Sequence, residues 1–496
     1  MTPNSGEADE RATGRAPGAA AWAVFVVVTL GVAGSALPVR ALAAPAPEGR
    51  ASGKSIEERI AELEALVRQL RAEIEALKTA PAGGAPSPGA QASLEELRKK
   101  IDALALEIER LRIGEAAGPQ APEKIAGFGP ASAKVYGVKH GVSIGGYGQT
   151  LYQNFDARAD DGRSSGKIDT ADLERAVLYF GYKWTDHLLF SSEIEYEHAV
   201  VAPDAPGEAA VEFAYLDYHP GRRFGLRGGL LLVPMGFLTE LHEPPIFHGA
   251  RRPDVETFIL PSTWRENGLG AYGNAGPMSY RVYLVTGLDA SGFSAGEWIR
   301  EGRQEGAEAK ARDWALTARV DYAPAPGRLF GAAGFTGDTG QGSRAIGGAR
   351  LSLWDAHAEW NGGGWHLRAL YARGVLGHAA AVSLADDPLL AIDPARGTAV
   401  GSRAAGWYGE IAWNILSGAP TGDRELSPFV RFEALDTQAE VEPPFTRDPA
   451  NDRTVWTYGI DYRPIPNVSI KVDYQDYRNR AGAGVDQLNV ALGYLF

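Results

Sequence analysis

Basic side chains that alternate with apolar residues are the groups in this sequence best placed to act on a solute. From about residue 135 onward, Arg and Lys recur on the polar face of segments in which every second residue is apolar. Where such segments enclose water, their polar face lines the enclosed space, and rings of Arg or Lys there select anions. The alternation places these basic residues on the polar face: Arg175, Arg223, Arg227, Arg281, Arg319, Arg350, Arg368, Arg431, Arg463 and Lys471.

Carboxylates share this face and leave two interpretations open. They are Glu193, Glu195, Glu197, Asp321, Glu410, Glu433, Asp461 and Asp473. The slight excess of basic groups predicts a mild anion preference, although the whole chain has a net charge of −13. The other interpretation is that opposite charges pair across the interior and only fill and stiffen it.

A polar stretch between two of these segments, from Pro234 to Arg265, holds a second set of candidates. It carries Arg251 and Arg252 together with several carboxylates, imidazoles and aromatic rings. Folded inward, facing rows of opposite charge would impose a transverse field on a passing solute; the alternative is a solvated surface loop. The predicted channel-lining residues are Arg227, Arg251, Arg252, Arg265, Arg223, Arg281, Arg319, Arg431 and Lys471.

Other chemistries find little support in the sequence. The chain has no Cys, which excludes thiol nucleophiles and Cys-ligated metals, and its acidic net charge argues against nucleic acid as a partner. The histidines are scattered without an HExxH or Ser/His/Asp arrangement. Asp156, Asp160 and Asp161 form an acidic loop whose spacing misses the EF-hand calcium pattern. The sequence therefore predicts no enzyme, no metal site and no cofactor.

Sixteen alternating segments must position these side chains. They begin near residues 141, 171, 187, 209, 222, 265, 278, 312, 327, 345, 364, 405, 427, 454, 466 and 485. Short turns such as Pro220-Gly221 and Gly276-Pro277 alternate with long polar loops. An even number of strands with this alternation is typical of bacterial outer-membrane barrels, whose short turns face the periplasm. The predicted fold of residues 135–496 is an all-β transmembrane barrel of about sixteen antiparallel strands, surrounded by outer-membrane lipid.

Both ends of the chain carry signals of export. In residues 1–43, two arginines precede an apolar run from Ala19 to Leu37, and Ala41-Leu42-Ala43 forms a small-x-small cleavage site. This predicts a signal peptide; a membrane-anchor helix is the alternative. The terminal Phe496 resembles the address that the barrel-assembly machinery reads in outer-membrane proteins. These signals predict a location in the outer membrane of a Gram-negative bacterium.

Residues 44–113 carry two heptad seams, and a Pro/Gly/Ala-rich break at 81–89 separates them. The seams are Ile56, Ile60, Leu63, Val67, Leu70, Ile74 and Leu77, and then Leu94, Leu97, Ile101, Leu104, Ile108 and Leu111. They predict a periplasmic coiled coil in two helical segments, followed by a linker at residues 114–134; a helix pair that folds on itself is the alternative. β-branched residues at a with Leu at d favour two strands in the coil.

Four short motifs lie between residues 170 and 290. They are Val211-Glu212-Phe213-Ala214-Tyr215-Leu216-Asp217-Tyr218, Leu226-Arg227-Gly228-Gly229, Pro234-Met235-Gly236-Phe237 and Glu266-Asn267-Gly268-Leu269-Gly270. Together they resemble the phosphate-selective porin O and P family. The resemblance implies a sixteen-stranded homotrimer whose third outward loop lines the constriction and whose lumen arginines pass anions.

This sequence departs from the family at the constriction. Members that select phosphate use lysines among their basic side chains there, whereas residues 234–265 contain no Lys. The departure puts phosphate selectivity in doubt. Arg251 and Arg252, the only adjacent basic pair in the loop, become the first candidates for anion binding, with Arg227 at the barrel wall.

Two functions from different classes fit these patterns. The first is an outer-membrane porin, a water-filled channel for passive diffusion of small hydrophilic solutes with an anion or phosphate preference. The second is a structural anchor whose coiled coil tethers the outer membrane to the periplasm or to peptidoglycan. The lumen separates them, because apolar or plug-forming loops would close an anchor's barrel whereas charged and small polar inward residues favour a channel.

Overall fold

The computed structural model describes residues 56–79, 100–101, 104, 128–420 and 422–496. The predicted signal peptide, most of the second predicted helix and most of the predicted linker lie outside the described residues. Helix α1, Ile56–Thr79, covers the first predicted seam, and Val67 of that seam is buried. Within the described part of the chain, no helix is long and apolar enough to span a bilayer.

The rest of the described chain contains sixteen strands. Their bounds are β1 Gly141–Phe155, β2 Thr170–Thr185, β3 Leu188–Glu197, β4 Glu208–Gly221, β5 Phe224–Leu232, β6 Arg265–Ala275, β7 Met278–Thr286, β8 Trp314–Tyr322, β9 Arg328–Gly337, β10 Leu351–Gly362, β11 Trp365–Leu376, β12 Arg403–Trp413, β13 Glu425–Glu440, β14 Asp452–Ile465, β15 Val468–Asn479 and β16 Gln487–Leu495. Two short α-helices accompany them, α2 Lys134–Gly137 and α3 Ala379–Asp386. Single helical turns occur at Pro244–Ile246, Val255–Ile259, Ala290–Gly292, Arg300–Gly302, Pro388–Ala391 and Pro449–Asn451.

Each strand pairs antiparallel with the next, and β16 pairs with β1, so that the sheet closes into a barrel. The closing register places Tyr147 opposite Leu495. Phe496 extends this pairing, since its N–H donates to the Gly146 carbonyl at 2.9 Å and its own carbonyl accepts from the Gly146 N–H at 3.1 Å. The predicted barrel of sixteen antiparallel strands is confirmed. All predicted strand starts lie within two residues of the observed ones except that of β10, which begins at 351 rather than near 345.

The two faces of the barrel wall have opposite polarity. In β16 the outward residues Leu488, Val490 and Leu492 are exposed, while the inward Gln487 and Asn489 are buried. Large aromatic residues also lie on the outer face; they include Trp184, Trp314, Trp354, Trp365, Trp407, Trp413 and Trp456. An apolar outer band with aromatic residues is the surface that a barrel presents to lipid.

The connections alternate in length as predicted, with short turns at one end of the barrel and longer loops at the other. Residues 414–424, which connect β12 to β13 at the end of the barrel with short turns, are an exception because they are longer than the other turns there. The connection from β5 to β6, residues 233–264, carries the second set of predicted site residues, and we call it the lumen loop.

Candidate functional site

The lumen loop lies inside the barrel, and most of its residues are buried. Its two ends meet where the Val233 N–H donates to the Trp264 carbonyl at 2.8 Å. Near its start, Gly236 has a φ of +62°, a left-handed conformation that favours glycine. The next two backbone N–H groups both donate to Glu256 Oε2 at 2.7 Å. Glu256 therefore ties the outgoing and returning halves of the loop together.

Apolar side chains of the loop pack against the inner face of the barrel wall. Trp264 contacts Phe335 of β9 with ring centroids 4.4 Å apart. The loop residues in this core are each at most 2% exposed, and they are Val233, Met235, Phe237, Leu238, Phe247, Val255, Ile259, Leu260 and Trp264. These side chains are packed in the manner of a soluble protein core, so the loop reduces the space left for solutes.

On another side of the barrel, Lys471 of β15 holds the loop by its backbone. Its Nζ donates to the carbonyls of Pro244 and Phe247 at 2.6 Å each and to that of Gly249 at 3.0 Å. The ammonium also lies 3.8 Å from the centre of the Phe247 ring. Lys471 is 1% exposed. It therefore anchors the loop and offers no free charge to a solute.

Other inward residues of the wall bind the loop backbone from well-separated strands. Asp473 of β15 accepts from the Ala250 N–H at 2.6 Å, and Gln149 of β1 donates to the Ala250 carbonyl at 2.9 Å. Asp355 of β10 accepts from the Gly236 N–H at 3.0 Å. Because β1 and β15 lie far around the barrel from β10, the loop crosses the lumen.

A second segment, Phe128–Val138, also lies against the inner face of the wall, and we call it the inner segment. The N–H groups of Ala131 and Ser132 donate to Glu243 Oε1 of the lumen loop at 3.0 and 3.1 Å. Burial raises the pKa of Glu243 to about 7, although these two N–H groups lower it. The last residues of the predicted linker are thus part of the barrel interior.

Arg227 of β5 holds the inner segment in place. Its guanidinium lies 2.9 Å from Asp217 Oδ2 and donates to the Tyr136 hydroxyl at 3.2 Å, and that hydroxyl in turn donates to Asp217 at 2.8 Å. Three aromatic rings surround the guanidinium at 4.4 to 4.8 Å, those of Phe128, Tyr215 and Tyr272. Arg227 is buried and fully engaged, so it acts as a structural group.

Four other predicted arginines are also buried in ion pairs. The pairs are Arg265–Glu212 at 2.7 Å, Arg281–Asp321 and Arg319–Asp321 at 2.9 Å each, and Arg431–Glu433 at 2.8 Å. For these residues the geometry favours the second interpretation of the sequence, in which opposite charges fill and stiffen the interior.

The placement of Arg223 and Arg350 on the inner face was wrong. Arg223 lies exposed in the turn between β4 and β5, where its carbonyl accepts from the Tyr280 hydroxyl at 2.9 Å. Arg350 lies exposed in the loop before β10. In both cases the alternation was extended past the end of the strand, where a turn changes the direction of the side chain.

Arg251 and Arg252 of the lumen loop behave differently from all of these. Both are partly exposed, and among the described residues neither side chain has an ion pair or a hydrogen bond. Their charges act on Glu174 of β2, and that of Arg252 also acts on Glu195 of β3. Unpaired guanidiniums on the loop therefore face carboxylates on the wall, and this arrangement produces a field across the space between them.

Sequence reasoning missed the side chains that fix the course of the lumen loop. Glu256 binds two loop amides and accepts from the Tyr408 hydroxyl at 2.6 Å, and His248 approaches Asp461 of β14 at 3.2 Å. A loop has no regular period, so no sequence signal separates its inward from its outward side chains. These contacts could be found only from the folded chain.

Comparisons with known proteins give one relative in sequence and several similar structures. The chain matches no model of a known protein family. It is 40% identical over 361 residues to an uncharacterized protein of Aquifex aeolicus (strain VF5), which covers 72% of this chain and 80% of that protein.

Similar solved structures include the Salmonella typhi OmpF complex with daunomycin (13% identity, TM-score 0.49, 72% of this chain and 98% of that one). Another is the outer membrane channel DcaP of Acinetobacter baumannii (14% identity, TM-score 0.46, 72% and 97%). At these values neither structure carries a function over to this chain.

Proposed function

The chain belongs to the same family as the uncharacterized Aquifex aeolicus protein, and we propose that it is an outer-membrane porin. Its barrel passes small hydrophilic solutes by passive diffusion and prefers anions. The observation that carries this proposal is the pair Arg251 and Arg252, two partly exposed guanidiniums without a partner in the described chain, on a loop that crosses the lumen. Fixed positive charge beside a low-dielectric wall attracts anions because water screens it weakly there.

The wall and the loop have separate roles in this proposal. Wall arginines such as Arg281 and Arg431 are paired, so they hold the barrel and the loop in shape. Selectivity then comes from the loop, and the packing of its apolar half limits passage to small solutes. Two adjacent guanidiniums suit an oxyanion, since each can donate two parallel hydrogen bonds. Phosphate is therefore one of the anions to test, although the loop contains no Lys.

The experiment is single-channel recording in planar bilayers with a salt gradient. Wild-type protein should give stepwise conductance and a reversal potential that indicates selectivity for anions. The double variant Arg251→Ala/Arg252→Ala should shift the reversal potential toward cation selectivity, while its conductance changes less. The difference should shrink at high salt, because the Debye length falls to about 3 Å at 1 M.

A matched control replaces two arginines that lie outside the barrel interior. Arg344 and Arg350 are both exposed in the loop between β9 and β10, and Arg344→Ala/Arg350→Ala removes the same charge. This control should keep the wild-type reversal potential. An unchanged reversal potential in the Arg251/Arg252 variant would remove that pair from the permeation path.

The second candidate function is a structural anchor that links the outer membrane to peptidoglycan. The apolar packing of the lumen loop favours it, because a packed loop obstructs the lumen. The anchor predicts that well-folded protein gives no conductance steps. It also predicts that the protein sediments with peptidoglycan and that deletion of residues 44–113 abolishes this. Conductance steps together with peptidoglycan-independent sedimentation would exclude the anchor.

The proposal includes a homotrimer and recognition of Phe496 by the barrel-assembly machinery. Deletion of Phe496 removes the last pairing with Gly146 as well as the terminal aromatic ring. The folded, heat-modifiable form should then accumulate more slowly in cells. Substitution by Tyr, which keeps the backbone pairing and the aromatic ring, should restore it. Native mass spectrometry of the purified protein measures the number of chains.

A further inference from the structure

Two imidazoles and a carboxylate meet where the lumen loop touches the barrel wall. His248 belongs to the loop, His366 to β11 and Glu410 to β12. One ligand atom from each lies within 4.8 Å of the other two, and His248 Nε2 is 2.7 Å from His366 Nδ1. These three residues are distant in sequence, and the sequence alone predicted no metal site.

The other nitrogen of each imidazole faces a carboxylate. His248 Nδ1 lies 3.2 Å from Asp461 Oδ2, and His366 Nε2 lies 3.4 Å from Glu359 Oε2. Histidines that bind a metal usually donate their second ring N–H to such a partner, which fixes the tautomer and leaves the first nitrogen's lone pair free for the ion. Here that arrangement leaves the two remaining nitrogens facing each other, 2.7 Å apart.

Glu410 adds an independent observation. Its side chain is 2% exposed, its Oε2 approaches Arg431 at 3.4 Å, and its Oε1 is buried without a hydrogen-bond partner. An unsatisfied buried carboxylate oxygen is unfavourable, and a bound cation removes that penalty. A simple hydrogen bond between the two imidazoles accounts for their close approach but leaves this oxygen without a partner.

The guanidiniums around the site are already neutralised by other carboxylates. The pairs are Arg368–Glu359 at 2.7 Å, Arg431–Glu433 at 2.8 Å and Arg463–Asp461 at 2.7 Å. A cation at the site is therefore not opposed by an unpaired positive charge among these three guanidiniums, and Glu410 supplies its carboxylate ligand.

We propose that His248, His366 and Glu410 bind a divalent transition-metal ion, best matched by Zn²⁺, and thereby clamp the lumen loop to the wall. Two imidazoles and one carboxylate with a water in the fourth position are a known zinc ligand set. His366 is partly exposed, so water can reach the fourth position. Tetrahedral geometry requires the two nitrogens to lie about 3.3 Å apart, so the rings separate by about 0.6 Å on binding. The proposal holds whether or not the barrel conducts.

The test uses the folded full-length protein without a histidine tag. Equilibrium dialysis against Zn²⁺, with the metal counted by mass spectrometry, should give one tightly bound ion per chain. His366→Gln and Glu410→Gln should each weaken binding at least tenfold. The matched control is His198→Gln, which alters a partly exposed histidine beside Asp172 elsewhere in the barrel.

Cobalt provides a second measurement that reports on geometry. Co²⁺ bound to the wild-type protein should show the visible absorption of a four-coordinate ion, and His366→Gln should abolish it. Zn²⁺ should also raise the temperature at which the wild-type protein loses its folded gel mobility, and it should not do so for His366→Gln. If His366→Gln and Glu410→Gln bind Zn²⁺ like the wild type, or if His198→Gln weakens binding equally, the site does not exist.

Discussion

Lys471 makes the most specific structural prediction, because one buried ammonium holds three carbonyls of the lumen loop. Lys471→Met keeps most of the side-chain volume and removes all three donors. At about 1.5 kcal/mol for each of the three hydrogen bonds to a charged group, the loss amounts to about 4.5 kcal/mol. Methionine also avoids the cost of burying an ammonium, which offsets part of that loss and leaves about 2–3 kcal/mol.

This free energy should appear as local opening of the loop. Hydrogen–deuterium exchange at residues 244–250 should become about 30- to 150-fold faster in Lys471→Met, since each 1.4 kcal/mol corresponds to a factor of ten. The strands should keep their wild-type protection, because the change leaves the sheet hydrogen bonds intact.

Lys183 supplies the matched control, since it is also a buried lysine on the inner face of a strand. Its Nζ donates to the Tyr136 carbonyl of the inner segment at 3.2 Å. Lys183→Met should therefore accelerate exchange in the inner segment and leave the lumen loop unchanged. The assignment of Lys471 as the anchor would be refuted if the lumen loop exchanged at the wild-type rate in Lys471→Met. It would also be refuted if loop exchange became faster by the same factor in both variants.

Three further predictions concern the loop, the inner segment and the N-terminal region. Gly236→Ala places a Cβ 2.6 Å from Glu256 Oε2, and it does so at a φ of +62° that L side chains rarely adopt. Thermal unfolding should therefore show a stability loss of about 1–2 kcal/mol. The control Gly409→Ala, whose Cβ would have open space around it, should show no such loss. The pKa of Glu243 is raised from 4.5 to about 7, so its contribution to the stability of the folded protein is complete below about pH 4.5 and is lost as pH rises through 7. Hydrogen–deuterium exchange of the inner segment, corrected for intrinsic rates, should therefore become faster over that pH range in the wild type. It should not do so in Glu243→Gln. Deletion of residues 44–113 should preserve heat-modifiable gel mobility but reduce oligomerisation, and loss of the folded band would contradict this.

The barrel could be predicted from sequence because each strand has water-facing and lipid-facing sides. In β15 the residues Ile470, Val472 and Tyr474 face outward, and Lys471 and Asp473 face inward. Because side chains alternate between the two faces of a strand, the same alternation of apolar and polar residues recurs in every strand of the barrel. The one displaced strand start has a physical reason. Ile346 and Ala349 are buried in the loop before β10, so their apolar character imitates a strand that begins only at residue 351.

The site could be predicted only in part. Alternation correctly assigned Arg319 and Arg431 to the inner face, but it contains no information on which carboxylate each would meet. Both have partners at 2.9 Å or less. The pairing depends on the register between neighbouring strands and on the course of the lumen loop, and a single strand's pattern encodes neither. Charge counts along the strands therefore overestimated the basic character that a solute meets.

Pairing, rather than position, separates the structural arginines of this barrel from those proposed to act on a solute. A guanidinium that already shares a buried carboxylate attracts a passing anion weakly, because its field is neutralised within a few ångströms. Arg251 and Arg252 lack such a partner in the described chain, although they belong to the same loop that Lys471 anchors. Lys471→Met should therefore affect the stability of the loop more than the ion selectivity of the channel. Arg251→Ala/Arg252→Ala should affect ion selectivity more than stability.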